Sequence, residues 1–152
     1  MLIGIDIGTQ SLKVVLTDES LNVCGEASVH YVPSYPQPGW AEQNTSLWLN
    51  ALKSVIAAAL AAAKCKPTDI SGLAIGGQLD GCIGVNHQGN AIGPAIIWMD
   101  KRAANSLEGI NRKVIGERTG IVLDASHMAA KIRWSQTNLA GASNCAVWHQ
   151  PT

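Results

Sequence analysis

The sequence predicts an α/β fold: a mixed sheet that opens with antiparallel hairpins and carries flanking helices. Three observations predict it. Apolar alternation with period two occupies the first thirty residues. A long helical run follows at about 44–64. A short apolar strand segment comes directly after that helix, and similar strand and helix segments succeed one another to the end.

The elements follow in order. Leu2–Ile7 and Lys13–Asp18 read as a strand, a tight turn and a return strand, with the polar Gly8-Thr9-Gln10-Ser11 at the tip. The turn Glu19-Ser20-Leu21-Asn22 leads into a third antiparallel strand, Val23 to Val32, where Val23, Gly25, Ala27, Val29 and Tyr31 alternate with more polar neighbours. Pro33 to Glu42 is a loop held extended by Pro33, Pro36 and Pro38. Asn44 is the expected N-cap of a helix reaching about Lys64, with Leu49, Leu52, Ile56, Leu60 and Ala63 as its core stripe.

Ile70–Ile75 reads as a short buried strand, parallel because a helix precedes it, ending in the loop Gly76–Gly81. Cys82–Val85 with the turn 86–90 predicts a further small hairpin. Ala95–Trp98 leads into one helix from Asp100 to roughly Arg118, closing at Thr119-Gly120. A second helix near His127–Thr137 and a core strand at Asn144–Trp148 complete the chain. No internal repeat interrupts this order.

Composition bounds the function. The 152 residues suffice for one domain or a large part of one, and 47% hydrophobic with only 14% charged residues argues against disorder. Net charge is zero, so there is no electrostatic footprint for nucleic acid or an anionic membrane. The apolar stretch Val55–Ala63 is too short to span a bilayer, and Asp6 interrupts the only apolar run at the start, so no signal peptide is expected. Four scattered cysteines without metal-ligand spacing read as reduced thiols of a cytoplasmic protein, and no zinc site is expected.

Chemistry concentrates in the first turn. Gly8 lets backbone approach a ligand, and the turn amides with Thr9, Gln10, Ser11 and Lys13 form a set that cradles phosphate oxygens. Asp6 stands where a carboxylate holds a magnesium ion through water. An ordinary hairpin turn also favours Asp and Gly, and the fingerprint is neither a Walker loop nor Gly-x-Gly-x-x-Gly. The loop Gly76–Gly81 lies at the carboxyl end of a strand, where α/β sheets gather ligands, and Gln78 and Asp80 are suited to the hydroxyl groups of a small polyol. Asp100 is either an N-cap or, with Arg102, a pocket-facing group. Trp40 reads as a packing anchor for its loop, and His127 as a pocket-lining rather than a metal-binding residue.

Four segments then resemble one family in order and spacing: Gly4 to Lys13, Pro38-Gly39-Trp40-Ala41-Glu42-Gln43, Gly77-Gln78-Leu79-Asp80-Gly81 and Pro94 to Arg102. They resemble the FGGY carbohydrate kinases, particularly the xylulokinase-like branch. The resemblance implies the actin and sugar-kinase superfamily, in which two ribonuclease-H-like domains close on a cleft. It implies ATP and Mg2+ as cofactors, with Gly8, Thr9, Gln10, Ser11 and Lys13 beside the phosphates and Asp6 on the metal side. It places Gln78, Leu79 and Asp80 in the sugar-contact loop, Ser126 and His127 along the sugar site ahead of Lys131-Ile132-Arg133-Trp134, and Asp100 among the substrate-side residues.

The chain departs from that pattern at several positions. Leu79-Asp80 stands where xylulokinases usually carry Met-His, and an acid there resembles the polyol-kinase branch. Met128 and Ser135 also differ from most members. Family members are far longer, so the resemblance covers the first part of an N-terminal domain and puts the catalytic aspartate downstream of Thr152. The expectation is therefore an ATP-dependent kinase for a small ketose or polyol whose isolated first part is inactive, with a non-catalytic sugar- or phosphate-binding module as the alternative. Apolar surface left open by the missing part makes dimerisation, as a homodimer, or aggregation the expected behaviour.

Overall fold

The computed structural model describes residues 1–151. The elements run β1 (Leu2–Ile7), β2 (Ser11–Thr17), β3 (Val23–His30), β4 (Glu42–Gln43), α1 (Thr45–Ala62), β5 (Gly72–Gly77), β6 (Ile83–Asn86), β7 (Ala95–Ile96), α2 (Arg112–Thr119), α3 (Met128–Asn138) and β8 (Cys145–His149). They group into two compact units, Met1–Pro33 with Asn44–Gln78 and Ser34–Gln43 with Leu79–Pro151.

The first unit is built on a four-stranded sheet in the order β3-β2-β1-β5. β1, β2 and β3 pair antiparallel, and β5 joins β1 in parallel, as the strand–helix–strand reading requires. Period-two alternation sends Ile3, Ile5, Leu12, Val14 and Leu16 to one face, where Val55, Ala59 and Leu60 of α1 cover them. Asn44 caps α1 as expected, its side chain accepting the Ser46 N–H. Gly25 lets α1 come close to β3: a Cβ there would lie 2.6 Å from the Ala63 nitrogen.

Two expectations for this unit need correction. Of the expected α1 stripe, Leu60 is buried in the core and Leu52, Ile56 and Ala63 pack against it, joined by Val55 and Ala59, whereas Leu49 is 67% exposed. β5 is not buried: Leu73 and Ile75 are 59% and 50% exposed. It is one of the two edge strands of the sheet, and the α1 layer lies over β1, β2 and β3. Among the described residues α1 is the one helix that is long and apolar enough to cross a bilayer by length and composition, and its Val55–Leu60 side is packed on the sheet.

The second unit holds two small antiparallel pairs, β4 with β7 and β6 with β8. The small hairpin expected around the turn 86–90 forms: Asn86 accepts the Gln88 and Asn90 amides, and Gly89 sits at φ 81°. The chain returns antiparallel against β6 through a Val85–Ala91 bridge and the Ile92 N–H on the Gly84 carbonyl at 2.9 Å, and β6 also takes β8 as its ladder partner. β8 is mostly exposed rather than a core strand. The helix expected from Asp100 to Arg118 is two pieces, a 3-10 helix over Arg102–Leu107 and then α2. Gly109, at φ 74°, breaks the run, and Asn111 starts α2 by accepting the Val114 N–H. Gly120 ends α2 in the left-handed conformation, as Thr119-Gly120 suggested. Ala103, Leu107, Leu123 and Ala130 pack the small core beneath these helices.

Candidate functional site

In the first unit the turn between β1 and β2 is tied from both sides. Gly8 donates its N–H to the Ser11 carbonyl at 3.0 Å, and a Cβ on Gly8 would lie 3.0 Å from that same oxygen, so glycine keeps the turn tight. From β3's end, Tyr31 donates its hydroxyl to the Gly8 carbonyl at 2.6 Å and its N–H to the Gln10 carbonyl at 3.0 Å. From β5's end, Thr9 donates to the Gln78 side-chain oxygen at 3.3 Å, and Gln78 donates its N–H to the Ile7 carbonyl. Burial, with the Asp6 charge adding to it, pushes the Tyr31 phenol up to about 12, which keeps it a neutral donor.

Beside this turn, Asp6 and Lys13 are opposite partners in the β1–β2 register. They share the sheet face remote from α1 and line an open cavity of about 760 Å³ with Gly4, Val15, Glu26 and Ser28. Gln10, Lys13 and Asp6 are exposed, while Ser11 is buried. Among the described residues no three His, Cys, Asp or Glu side chains converge as metal ligands. A cation at Asp6 would have one carboxylate and complete its shell with water and phosphate oxygens, the habit of Mg2+.

In the second unit a turn, a loop and a helix bring three expected residues together. Asp80 sits at φ 57°, a left-handed conformation that aspartate tolerates better than most residues, and Leu79 beside it is well exposed. The wholly buried side chain of Lys131, on α3, donates to the main-chain carbonyls of both Asp80 and Ser126. Asp124 accepts the Ser126 N–H at 2.6 Å and also the Ser126 hydroxyl. Those bonds, led by the hydroxyl and assisted by Lys101, hold the Asp124 carboxyl down at about 2. His127 accepts the Asp124 N–H on Nδ1 at 2.9 Å, which puts its neutral-form proton on Nε2.

Asp100, expected on the substrate side, is instead fully buried in the framework. Oδ2 accepts the Ala41 N–H at 2.6 Å, Oδ1 accepts the Arg102 N–H, and the Arg102 guanidinium bridges both oxygens. Arg102 also pairs with Glu42 at 2.8 Å and lies 3.6 Å over the Trp40 ring and 5.0 Å from that of Trp134. Trp40 is thus a packing anchor, as its sequence context suggested, with Trp134 edge-on to it at 5.4 Å.

Sequence reasoning missed Tyr31 as the brace of the first turn and Lys131 as the link between residues 80 and 126.

Burial also sets the alkaline behaviour of this unit. It pushes the Cys82 thiol from 9.0 up to about 12, so Cys82 contributes stability that is complete below pH 9 and is lost as pH rises toward 12. Lys131 has the opposite sign: burial lowers it from 10.5 to about 8, so that contribution grows with pH between those values. Urea midpoints from pH 8 to 11 are expected to fall less steeply for Cys82→Ala than for the wild type. Parallel curves would contradict this assignment.

The comparisons with known proteins bear on both units. The model of the FGGY family of carbohydrate kinases, N-terminal domain, matches residues 1–146. A glycerol kinase from Thermococcus onnurineus is 32% identical over 143 residues, covering 92% of this chain and 29% of that protein. The crystal structure of a xyloylose kinase from Brucella ovis superposes with a TM-score of 0.88 at 28% identity, covering 97% of this chain and 31% of that one. The xylulose kinase of Rhodospirillum rubrum gives 0.86 at 27% identity, over 96% of this chain and 31% of that one. The chain therefore spans about 29% of the length of the curated relatives it matches. The sheet order, the tied first turn and this match across nearly the whole chain lead to one conclusion: the chain belongs to the FGGY family of carbohydrate kinases.

Proposed function

We propose that this chain is the opening part of the first domain of an ATP-dependent kinase for a small polyol or ketose. The observation that carries the reading is the pairing of Asp80 with Ser126 through one buried lysine. That lysine brings the main chain of Asp80 and Ser126 to one neighbourhood, and we read the Asp80 carboxylate, Ser126 and the Nε2–H of His127 as the groups offered to substrate there. A carboxylate accepts from hydroxyl groups, and an imidazole N–H donates to them, which is the recognition a polyhydroxylated substrate needs. Gln78 and Leu79 lead into this loop as further substrate contacts, and Asp100 supports the neighbouring framework.

The tied turn supplies the nucleotide side. Gly8, Thr9, Gln10, Ser11 and Lys13 would hold ATP phosphates with amides, hydroxyls and one ammonium, and Asp6 would orient the hydration shell of Mg2+. Bound there, the ion neutralises charge on the transferring phosphoryl group. The residues of this chain bind, orient and shield. The general base expected for the substrate hydroxyl lies beyond Thr152, so the 152-residue chain holds ligands without transferring phosphate.

A coupled ADP-release assay with glycerol and D-xylulose tests this. The purified chain is expected to release no ADP above background. The protein extended through its reading frame to the length of its relatives is expected to release ADP only when polyol or ketose is present. Polyol-dependent ADP release by the 152-residue chain alone would overturn the division of labour, and none from the extended protein would overturn the kinase reading.

A further inference from the structure

We propose that Lys131 is a positioning residue for the polyol site: its ammonium clamps the main chain at Asp80 and at Ser126, so that the two substrate-facing segments keep a fixed relation. The inference rests on the proposed reading of Asp80, Ser126 and His127 as substrate contacts.

A lysine with no exposed surface is unusual, because burying an ammonium is expensive unless its donors are taken up. A methionine would fill the same space at no electrostatic cost. Lys131 instead spends two of its three N–H donors on carbonyls 51 and 5 residues away, one on each substrate segment. The carboxylates of Asp100 and Asp80 attract the ammonium and offset part of its desolvation.

One target of the clamp lies in a sparsely populated region of the backbone. Asp80, at φ 57°, takes a left-handed conformation that is open to aspartate but is only one of its alternatives, so a fixed constraint is needed to hold it. The ammonium on its carbonyl is such a constraint, and Leu79, 69% exposed, provides little packing to replace it. At the other target, the Asp124 bonds shape the segment internally but do not tie it to residue 80. Lys131 makes that tie. It reaches main chain rather than a reacting atom, so it acts through Asp80 and Ser126.

The test is an amide NMR titration of the 152-residue chain with glycerol and with D-xylulose, wild type against Lys131→Met. The variant is expected to keep wild-type shifts in β1–β3 and α1, to broaden or move Leu79–Gly81 and Ser126–His127, and to bind at least about tenfold more weakly, the loss expected for hydrogen bonds to a charged group. A folded variant that binds as tightly as the wild type overturns the positioning role alone. Absence of binding by the wild type overturns the substrate reading, and the positioning role with it. If Lys131→Met does not fold, the wild type decides: observable Lys131 ammonium protons coupled across hydrogen bonds to the Asp80 and Ser126 carbonyl carbons support the clamp. An averaged, solvent-exchanging ammonium overturns it.

Discussion

Asp100→Ala is expected to destabilise the second unit by about 3–5 kcal/mol, the cost of leaving a buried charge without its partner. The Asp100 side chain has no exposed surface, and that of Arg102 is only 3% exposed. Removing the carboxylate strands the guanidinium beneath two tryptophan rings and leaves the Ala41 N–H without its acceptor. Glu42, 2.8 Å from Arg102, retains part of the compensation, which places the loss toward the lower end of that range. Domains of this size are stable by only about 5–15 kcal/mol, so the urea midpoint should fall sharply. Asp100→Asn/Arg102→Met should cost less than the two single changes added together, because the charge and its partner leave as a pair. An unchanged midpoint for Asp100→Ala would show that the Trp40 segment is held by packing alone.

Asp6→Asn is the second large effect, read in the extended protein. If Asp6 orients water around Mg2+, the amide keeps the size and loses the charge, and phosphoryl transfer should drop by about 10–100-fold, as for other outer-shell metal partners. The affinity for glycerol should change little, because Asp6 is not among the proposed substrate contacts Gln78, Leu79, Asp80, Ser126 and His127. Loss of glycerol affinity with an unchanged transfer rate would reverse that assignment. Stability should change little, since Asp6 is exposed.

The parts of the fold legible in the sequence are those where local chemistry and tertiary packing agree. Period-two alternation from Leu2 to Leu16 marks a hairpin because one face is buried throughout. Asn44 and Gly120 mark helix ends because their conformations are locally determined. Legibility failed where tertiary context chose. Of the stripe read on α1, only Leu49 stays out, at 67% exposed, while Leu52, Ile56, Leu60 and Ala63 join the core. The helix expected from Asp100 to roughly Arg118 runs through Gly109, which takes φ 74° and divides the element. The apolar content of β5 reflects what a strand is suited to contact, whereas its exposure depends on which neighbours lie beside it.

The candidate site divides in the same way. The first-turn residues are contiguous, so their spacing carried the reading. The proposed substrate contacts come from positions 78–80 and 126–127, and nothing in linear order announces that Lys131 ties Asp80 to Ser126. A lysine on a helix reads as solvated, and only the packed structure shows its side chain turned inward to two carbonyls. Asp100 misled for the complementary reason: an acid after a strand suits a pocket, yet here an arginine two residues on takes both of its oxygens.

The central claim, that the turn between β1 and β2 is the phosphate-holding element, is tested most directly by amide NMR of the chain titrated with Mg·ATP, in the wild type and in Asp6→Asn. Saturable shifts centred on Gly8, Thr9, Gln10, Ser11 and Lys13 are expected, weaker in Asp6→Asn than in the wild type, with the difference between the two proteins lost when ATP is added without Mg2+. Shifts that leave Gly8–Lys13 unmoved, or that are identical in the two proteins with Mg2+ present, would contradict it.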